Sequence, residues 1–304
     1  MKIGELLGAD IEEVFFDDFW SKKPIHIKGS PEKFEFLPDM DQLPRILSGC
    51  FDGAEWINTH NLKAQAYKYN QDGSIDKFVD VPAEMYVQMF NSGYGLCFND
   101  VSFAVPDFEE VLTEFSDGFD ASIPDSVTCY LTPPNSRGVL HFDNQHVFFV
   151  QRSGRKKWRI SNEPAIENPF ENLVYPNCDL EFFNYMDSKG YKIRPPVDCG
   201  YTDLVLEKGD VLYMPPGFYH VGNTEEDLSF HFTITIEPLS AQSKIYSYLY
   251  EKARSNSSVV NKDLRFLPRQ EALKVLAESQ QFYSGLLSEF VLSDLFYSPD
   301  AESD

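Results

Sequence analysis

The chain has 304 residues, 42% hydrophobic and 15% aromatic, with a formal net charge of −22, enough for one sizeable core plus a smaller satellite. The negative field counts against nonspecific nucleic-acid binding, and no apolar run approaches the roughly 18 residues of a membrane span. The start Met1-Lys2-Ile3-Gly4-Glu5 lacks a signal-peptide pattern, and the five cysteines (Cys50, Cys97, Cys129, Cys178, Cys199) include no CxxC pair, which argues for a reduced, cytoplasmic setting without structural zinc.

Residues 10–20 read as the first helix, with Asp10 as N-cap and Glu13 placed for a capping box. His26-Ile27-Lys28 reads as a single strand. Asp41 opens a short helix through Pro44 to Leu47, and Pro82 to Asn91 forms a third that stops at Gly93, where a left-handed C-cap is easily made. Gly95–Phe98 is another strand, and Pro106 to Phe115 a fourth helix.

From Ser126 the pattern changes to short β-rich runs: 127–132, 138–142, 145–151, 156–161, 203–206, 210–214 and 228–237. Pro133-Pro134, Ser153-Gly154, Lys208-Gly209 and Pro215-Pro216-Gly217 punctuate them, as in a sandwich or barrel such as a jelly roll. The stretch 162–200, rich in Pro, Asn and aromatics, is expected to be a long insertion near the barrel mouth. After Pro238 helical spacing returns over 241–254, 269–278 and 280–297, and Ser298 to Asp304 is a polar, acidic end. These helices serve either as a buttress or as a homodimer surface. The expected organisation is a helical, mixed part over 1–125 packed on a β core over 126–240, followed by a helical segment over 241–304.

His141-Phe142-Asp143 places an imidazole and a carboxylate on one face of a strand, where both can reach one ion. Taken alone, His-x-(Asp/Glu) is expected about once by chance with 6 His and 48 acidic residues in 304. The run Gly209 to Asn223 adds a strand, a rigid Pro215-Pro216-Gly217 turn, and then His220 aimed into the barrel. Its spacing resembles the second cupin motif. Two histidines and one carboxylate suit iron(II), leaving coordination positions open. His146 and His231 read as packed histidines, Trp158 and Phe148-Phe149 as core, and Asn223 as a ligand-orienting or strand-capping residue.

The segment Gln145 to Ile160, with its apolar strand, Gln151-x-x-Gly154 turn and basic cluster ending at Trp158, resembles the JmjC oxygenases, in particular the ribosomal-oxygenase group of protein hydroxylases. Phe19 to Ile27 (FWSKKPIHI) and Cys97-Phe98-Asn99-Asp100-Val101 are similar to two further landmarks of that family, so the resemblance covers roughly residues 15 to 240. It implies a mainly β fold with flanking helices, built on a double-stranded β-helix (jelly-roll) core. It implies a dioxygenase with Fe(II) held by His141, Asp143 and His220, using O2 and 2-oxoglutarate as cosubstrates and releasing succinate and CO2. Lys156 stands where the family binds the far carboxylate of 2-oxoglutarate, with Tyr130 and Thr132 as candidate hydroxyl partners. Strand alternation then turns Arg155 and Lys157 away from Lys156.

Acidity and resemblance together point to a basic protein or peptide as substrate, hydroxylated on a side chain, with no membrane and no nucleic-acid partner. The alternatives are attack on an N-methyl group, on a modified RNA base or small molecule, or a non-catalytic cupin binding module. A positive groove from Arg152 to Arg159 would favour the RNA reading; a solvated hairpin is the blander one. The tail after 240 is expected to hold a dimerisation bundle but to be too short for a winged helix as well.

Overall fold

The computed structural model describes residues 1–40, 42, 64–70, 75–99, 101–102, 105–116, 126–175, 180–238, 241–255 and 267–289. Two compact units divide the chain: Met1–Phe115 with Asp125–Glu237, and Ser116–Pro124 with Pro238–Asp304.

The first unit opens with helices α1 (Ile3–Leu7) and α2 (Ala9–Asp18), then strand β1 (Ile25–Ile27). Gly8, with φ 85°, reverses the chain between the helices and takes the N-cap position of α2. Asp10 therefore sits inside the first turn rather than at the cap, where it still complements the helix dipole. The short helix expected from Asp41 to Leu47 lies outside the described residues, Gln42 aside. Next come β2 (Ala64–Tyr69) and β3 (Ile75–Phe78), a 3-10 turn over Ala83–Met85, α3 (Tyr86–Asn91), β4 (Gly95–Phe98) and α4 (Glu109–Ser116). The β2–β3 pair corrects the largely helical reading of this part.

The barrel proper contributes β5 (Ser126–Thr132), β6 (His141–Phe142), β7 (His146–Gly154), β8 (Lys156–Ser161), β9 (Leu173–Val174), β10 (Tyr201–Leu206), β11 (Val211–Met214), β12 (His220–Asn223) and β13 (Ser229–Ile236). They form two sheets, one of eight strands in the order β1-β11-β7-β13-β5-β4-β2-β3 and one of five in the order β10-β8-β12-β6-β9. Every pairing is antiparallel. This is the double-stranded β-helix, mainly β with flanking helices.

Alternation along β7 explains its unbroken apolar run. Phe148 and Val150 join the large core that α1 and α2 close with Leu6, Leu7 and Phe15. Val147 and Phe149 instead meet Trp158, Ile160, Leu212 and Met214 in a second cluster. A strand covered on both faces loses its polar positions. On the first face Phe15 stands 4.9 Å from Tyr213 and 5.8 Å from Phe148, ring centre to ring centre.

The 162–200 stretch carries β9, helix α5 (Leu180–Ser188) and a 3-10 turn at Pro196–Asp198. The described helices of the second unit are α6 (Ala241–Ser255) and α7 (Arg269–Glu289). The two helices expected over 269–278 and 280–297 are one continuous helix as far as residue 289, because no glycine or proline interrupts Glu278-Ser279-Gln280-Gln281. Among the described residues, no helix is long and apolar enough to cross a membrane.

Candidate metal centre

His141 and His220 face each other directly across the β6–β12 pair, with ring centroids 4.2 Å apart. The strand expected over 138–142 pairs only at His141–Phe142, so the cross-strand register to β12, rather than a long local strand, aims the imidazole inward. Asp143 follows two residues on, toward the same face. The turn before His220 is built as the sequence requires: Gly217 has φ 81°, and a Cβ there would lie 2.0 Å from the Ile166 carbonyl oxygen. The Gly217 N–H donates to the Asp143 carbonyl at 2.8 Å, tying this turn to the other half of the site.

Ligand atoms of His141, Asp143 and His220 all lie within 4.8 Å of one another. The Nδ1 of each imidazole is 2.9 Å from the backbone carbonyl two residues earlier, Val139 for His141 and Phe218 for His220. A carbonyl only accepts, so each Nδ1 carries the proton in the neutral ring and each Nε2 presents a lone pair. Those lone pairs face the Asp143 carboxylate, whose Oδ2 is 3.9 Å from the His141 Nε2 and 3.4 Å from the His220 Nε2. The His220 Nε2 is buried without a hydrogen bond. Burial, and then the neighbouring His220, push His141 down to about 4. Burial alone would raise the Asp143 carboxyl, but the close approach of His220 and the positive charge that either imidazole supplies when protonated hold it below the ordinary carboxylate range, so it is the anionic member of the trio. Three Lewis bases, neutral, neutral and anionic, thus converge with no proton to share. A cation fits that arrangement, and its donor set is the one non-haem iron(II) prefers.

Deeper in the barrel, β8 alternates as expected: Lys156 and Trp158 point inward, Lys157 and Arg159 outward. The Lys156 ammonium makes no ion pair among the described residues. It lies 5.1 Å from the Trp158 ring centre and 6.0 Å from that of Tyr130. Burial pushes it down to about 7. Gly222 makes the room it occupies, since a Cβ there would come within 2.7 Å of the Lys156 Cε and 3.2 Å of the Trp158 ring.

Tyr130 stacks on His231 at 5.2 Å and 7° and stands opposite Cys97, whose thiol donates to the Asn99 Oδ1 at 3.3 Å and is raised by burial to about 11. The Thr132 hydroxyl is buried and makes no hydrogen bond among the described residues. Tyr67 and Cys97 belong to this polar interior and were absent from the sequence-based site. The signal for Tyr67 was the alternation of Ala64 and Ala66 with Gln65, Tyr67 and Tyr69, one set buried in the large core and the other turned inward.

His146 is a packed histidine, 3.8 Å from Trp20 in a parallel stack and hydrogen-bonded through Nδ1 to the Tyr213 hydroxyl at 2.9 Å. Asn223 accepts the Gly138 N–H at 2.9 Å, fastening the loop that leads to His141. Of the basic run from Arg152 to Arg159, Lys157 and Arg159 line an open pocket together with Arg137, Asp203 and Glu225, so positive and negative side chains are mixed there. Arg152 is buried, donating to the Leu37 carbonyl and paired with Asp39 at 3.1 Å. Arg155, Lys157 and Arg159 are exposed and paired with Glu207, Glu225 and Asp203.

Residues 107–243 match the family described as "JmjC domain". Ribosomal oxygenase 1 of Danio rerio is 29% identical over 242 residues, 74% of this chain and 38% of that protein. The bifunctional lysine-specific demethylase and histidyl-hydroxylase NO66 of Drosophila melanogaster is 26% identical over 247 residues, 79% of this chain and 33% of that protein. The chain thus spans about a third of the length of these curated relatives. The structure of YcfD, a ribosomal oxygenase from Escherichia coli in complex with cobalt and 2-oxoglutarate, shares the fold with a TM-score of 0.55 at 18% identity, covering 94% of this chain and 68% of that one.

Proposed function

We propose, from the match of residues 107–243 to the family described as JmjC domain and the similarity to ribosomal oxygenase 1 and NO66, that this chain is an Fe(II)- and 2-oxoglutarate-dependent dioxygenase that hydroxylates a side chain of a basic protein or peptide. The observation that carries this reading is the trio of unprotonated ligand atoms on His141, Asp143 and His220. These three residues hold the metal, the two Nδ1–H···O=C bonds keeping each ring oriented with its lone pair inward. When bound, Fe(II) supplies the coupled chemistry in which O2 and 2-oxoglutarate give succinate and CO2 while a substrate C–H bond becomes C–OH.

The remaining work belongs to this chain. Lys156 holds the far carboxylate of 2-oxoglutarate as a buried point charge, and Tyr130 and Thr132 supply hydroxyls beside it. Phe149, Trp158, Leu212 and Met214 keep that end of the barrel dry, which strengthens the ammonium–carboxylate attraction. The acidity of the chain supports a basic substrate, and the paired charges on the β7–β8 hairpin weigh against nucleic acid. As part of the same proposal, the protein is cytoplasmic, with Cys97, Cys129 and Cys199 free, and homodimeric. Leu273, Leu276 and Leu287 of α7, each about half exposed, support the second point.

The test is an anaerobic titration of metal-free protein with Fe(II) and then 2-oxoglutarate, following the visible charge-transfer band of the chelate. The band is expected in the wild type, absent in His141→Ala, and displaced to much higher 2-oxoglutarate in Lys156→Ala. A wild-type protein that binds Fe(II) yet develops no band would sink the oxygenase reading.

A further inference from the structure

The insertion between β8 and β10 is fastened to the metal site at several points. β9 pairs with β6, Val174 opposite His141 and Leu173 opposite Phe142. Asn144, next to Asp143, donates its backbone N–H to Asn172 at 2.8 Å and its side-chain amide to the Phe170 carbonyl at 3.2 Å. The Ala165 N–H donates to the carbonyl of Gly217, in the turn before His220, at 2.8 Å. The insertion also has a core of its own, in which Ala165, Cys199, Phe142 and Tyr219 are buried with Leu173, Ile166 and Ile193 against them.

Against that background, the aromatic residues left outside need a reason. Phe170 is 62% exposed and Tyr191 41% exposed. Their rings meet edge to face, with centroids 6.0 Å apart at 83°, which makes an open right-angled corner of two π surfaces. Glu167 and Glu171 flank Phe170 in the chain, both exposed and without an ion pair among the described residues. Across residues 162–200 seven acidic side chains stand against three basic ones; of the basic ones Arg194 is paired with Glu163, Lys189 lies over the Tyr185 ring, and Lys192 adjoins Tyr191 in the chain. A perpendicular aromatic pair with carboxylates beside one ring attracts a cation that can lay its charge on a ring face.

We propose that the Phe170–Tyr191 corner is a docking site for an arginine or lysine side chain of an extended basic peptide, whose neighbouring residue then lies at the metal centre. This rests on the reading of the protein as a peptide hydroxylase and deepens it by naming where the substrate is gripped. The attachment of Asn144 to Phe170 gives the corner a set position relative to Asp143, so a cation seated there fixes which substrate residue reaches the site. The acidic chain as a whole steers basic partners in, and the aromatic corner selects among them.

The test uses the full chain and a fluorescein-labelled decapeptide of alternating glycine and arginine, with a glycine–serine decapeptide as control, followed by anisotropy at physiological salt. The arginine peptide is expected to bind and the serine peptide not. The double variant Phe170→Ala/Tyr191→Ala, which leaves the net charge unchanged, is expected to weaken binding about three- to tenfold. Phe170→Trp is expected to restore or exceed wild-type affinity in the presence of Tyr191. The Fe(II)–2-oxoglutarate band is expected to be the same in the double variant, which shows that the barrel is intact and separates this idea from the cofactor chemistry. Equal binding to wild type and double variant would overturn the proposal, leaving only the general negative field; so would failure of the wild type to bind the arginine peptide. Loss of the band in the wild type alongside corner-dependent peptide binding would instead sink the oxygenase reading and leave the docking site standing.

Discussion

At the scale of single residues, Lys156 is the most informative side chain because its environment opposes its charge. Burial holds its ammonium down to about 7, whereas a dicarboxylate ligand needs it charged and would raise that value. Below about pH 7 the free protein already carries the proton, so affinity for 2-oxoglutarate should be flat. Above it, binding must take up a proton, and affinity should fall by up to about tenfold per pH unit. Lys156→Arg keeps its charge throughout, so its profile should stay flat from pH 6.5 to 9. Calorimetric titration of the Mn(II)-loaded protein with 2-oxoglutarate reads both profiles, and a wild-type curve as flat as the arginine variant's would remove Lys156 from the ligand's contacts. In the sequence, strand alternation and the family resemblance already separate Lys156 from the other bases of its run of five. Its place opposite Gly222, beneath Trp158 and Tyr130, adds the burial that Lys157, which faces water, lacks.

At the scale of elements, strands covered on both faces and helices that pin them were legible where the pattern is local. β7, β8, β11 and β13 fall within a few residues of their sequence-based bounds, because turns at Gly154, Gly209 and Gly217 need positive φ and the sequence supplies glycine there. β2 was not legible, since Ala, Gln and Lys favour helix and its strand conformation comes from pairing with β4 rather than from propensity. α2 shows the converse, a short helix whose value is one residue. Phe15 is fully buried among Tyr213, Phe148 and Trp20. Phe15→Ala is expected to cost about 3–5 kcal/mol, read as a drop in urea midpoint at unchanged slope. The neighbouring Phe16→Ala, at a half-exposed site, should cost clearly less. Equal costs would mean that α2 does not clamp the large sheet.

At the scale of the whole molecule, histidines buried without charge tie stability to pH. His146 is pushed down to about 3 by burial, below the roughly 6.5 of an unfolded chain. Its folded form stays neutral while the unfolded form takes a proton as pH falls through 6.5. Its contribution is therefore intact above pH 6.5 and lost progressively toward pH 3, at up to about 1.4 kcal/mol per pH unit. His231 acts in the same direction, being held well below its usual value by burial and by Lys156. Urea unfolding of metal-free protein at pH 7.5, 6.5 and 5.5 should show this loss, and His146→Phe, which keeps a ring against Trp20, should make the slope shallower. An unchanged slope in that variant would mean that His146 titrates normally in the folded chain.

What the sequence determined by itself is whatever rests on neighbouring residues: the shared face of His141 and Asp143, the Pro215-Pro216-Gly217 turn that presents His220, the outward turn of Lys157, and the β-rich middle between helical ends. Each follows from strand period or turn chemistry over a few positions. The tertiary structure decided what depends on register between distant strands. It set His141 opposite His220 and Tyr130 opposite Cys97, and it brought Tyr67 into the barrel on a hairpin that propensity hides. It also buried Arg152 against Asp39, and it set Phe170 beside Asn144. Those placements come from the packing of whole sheets, because a side chain's surroundings are fixed by residues that may lie a hundred positions away.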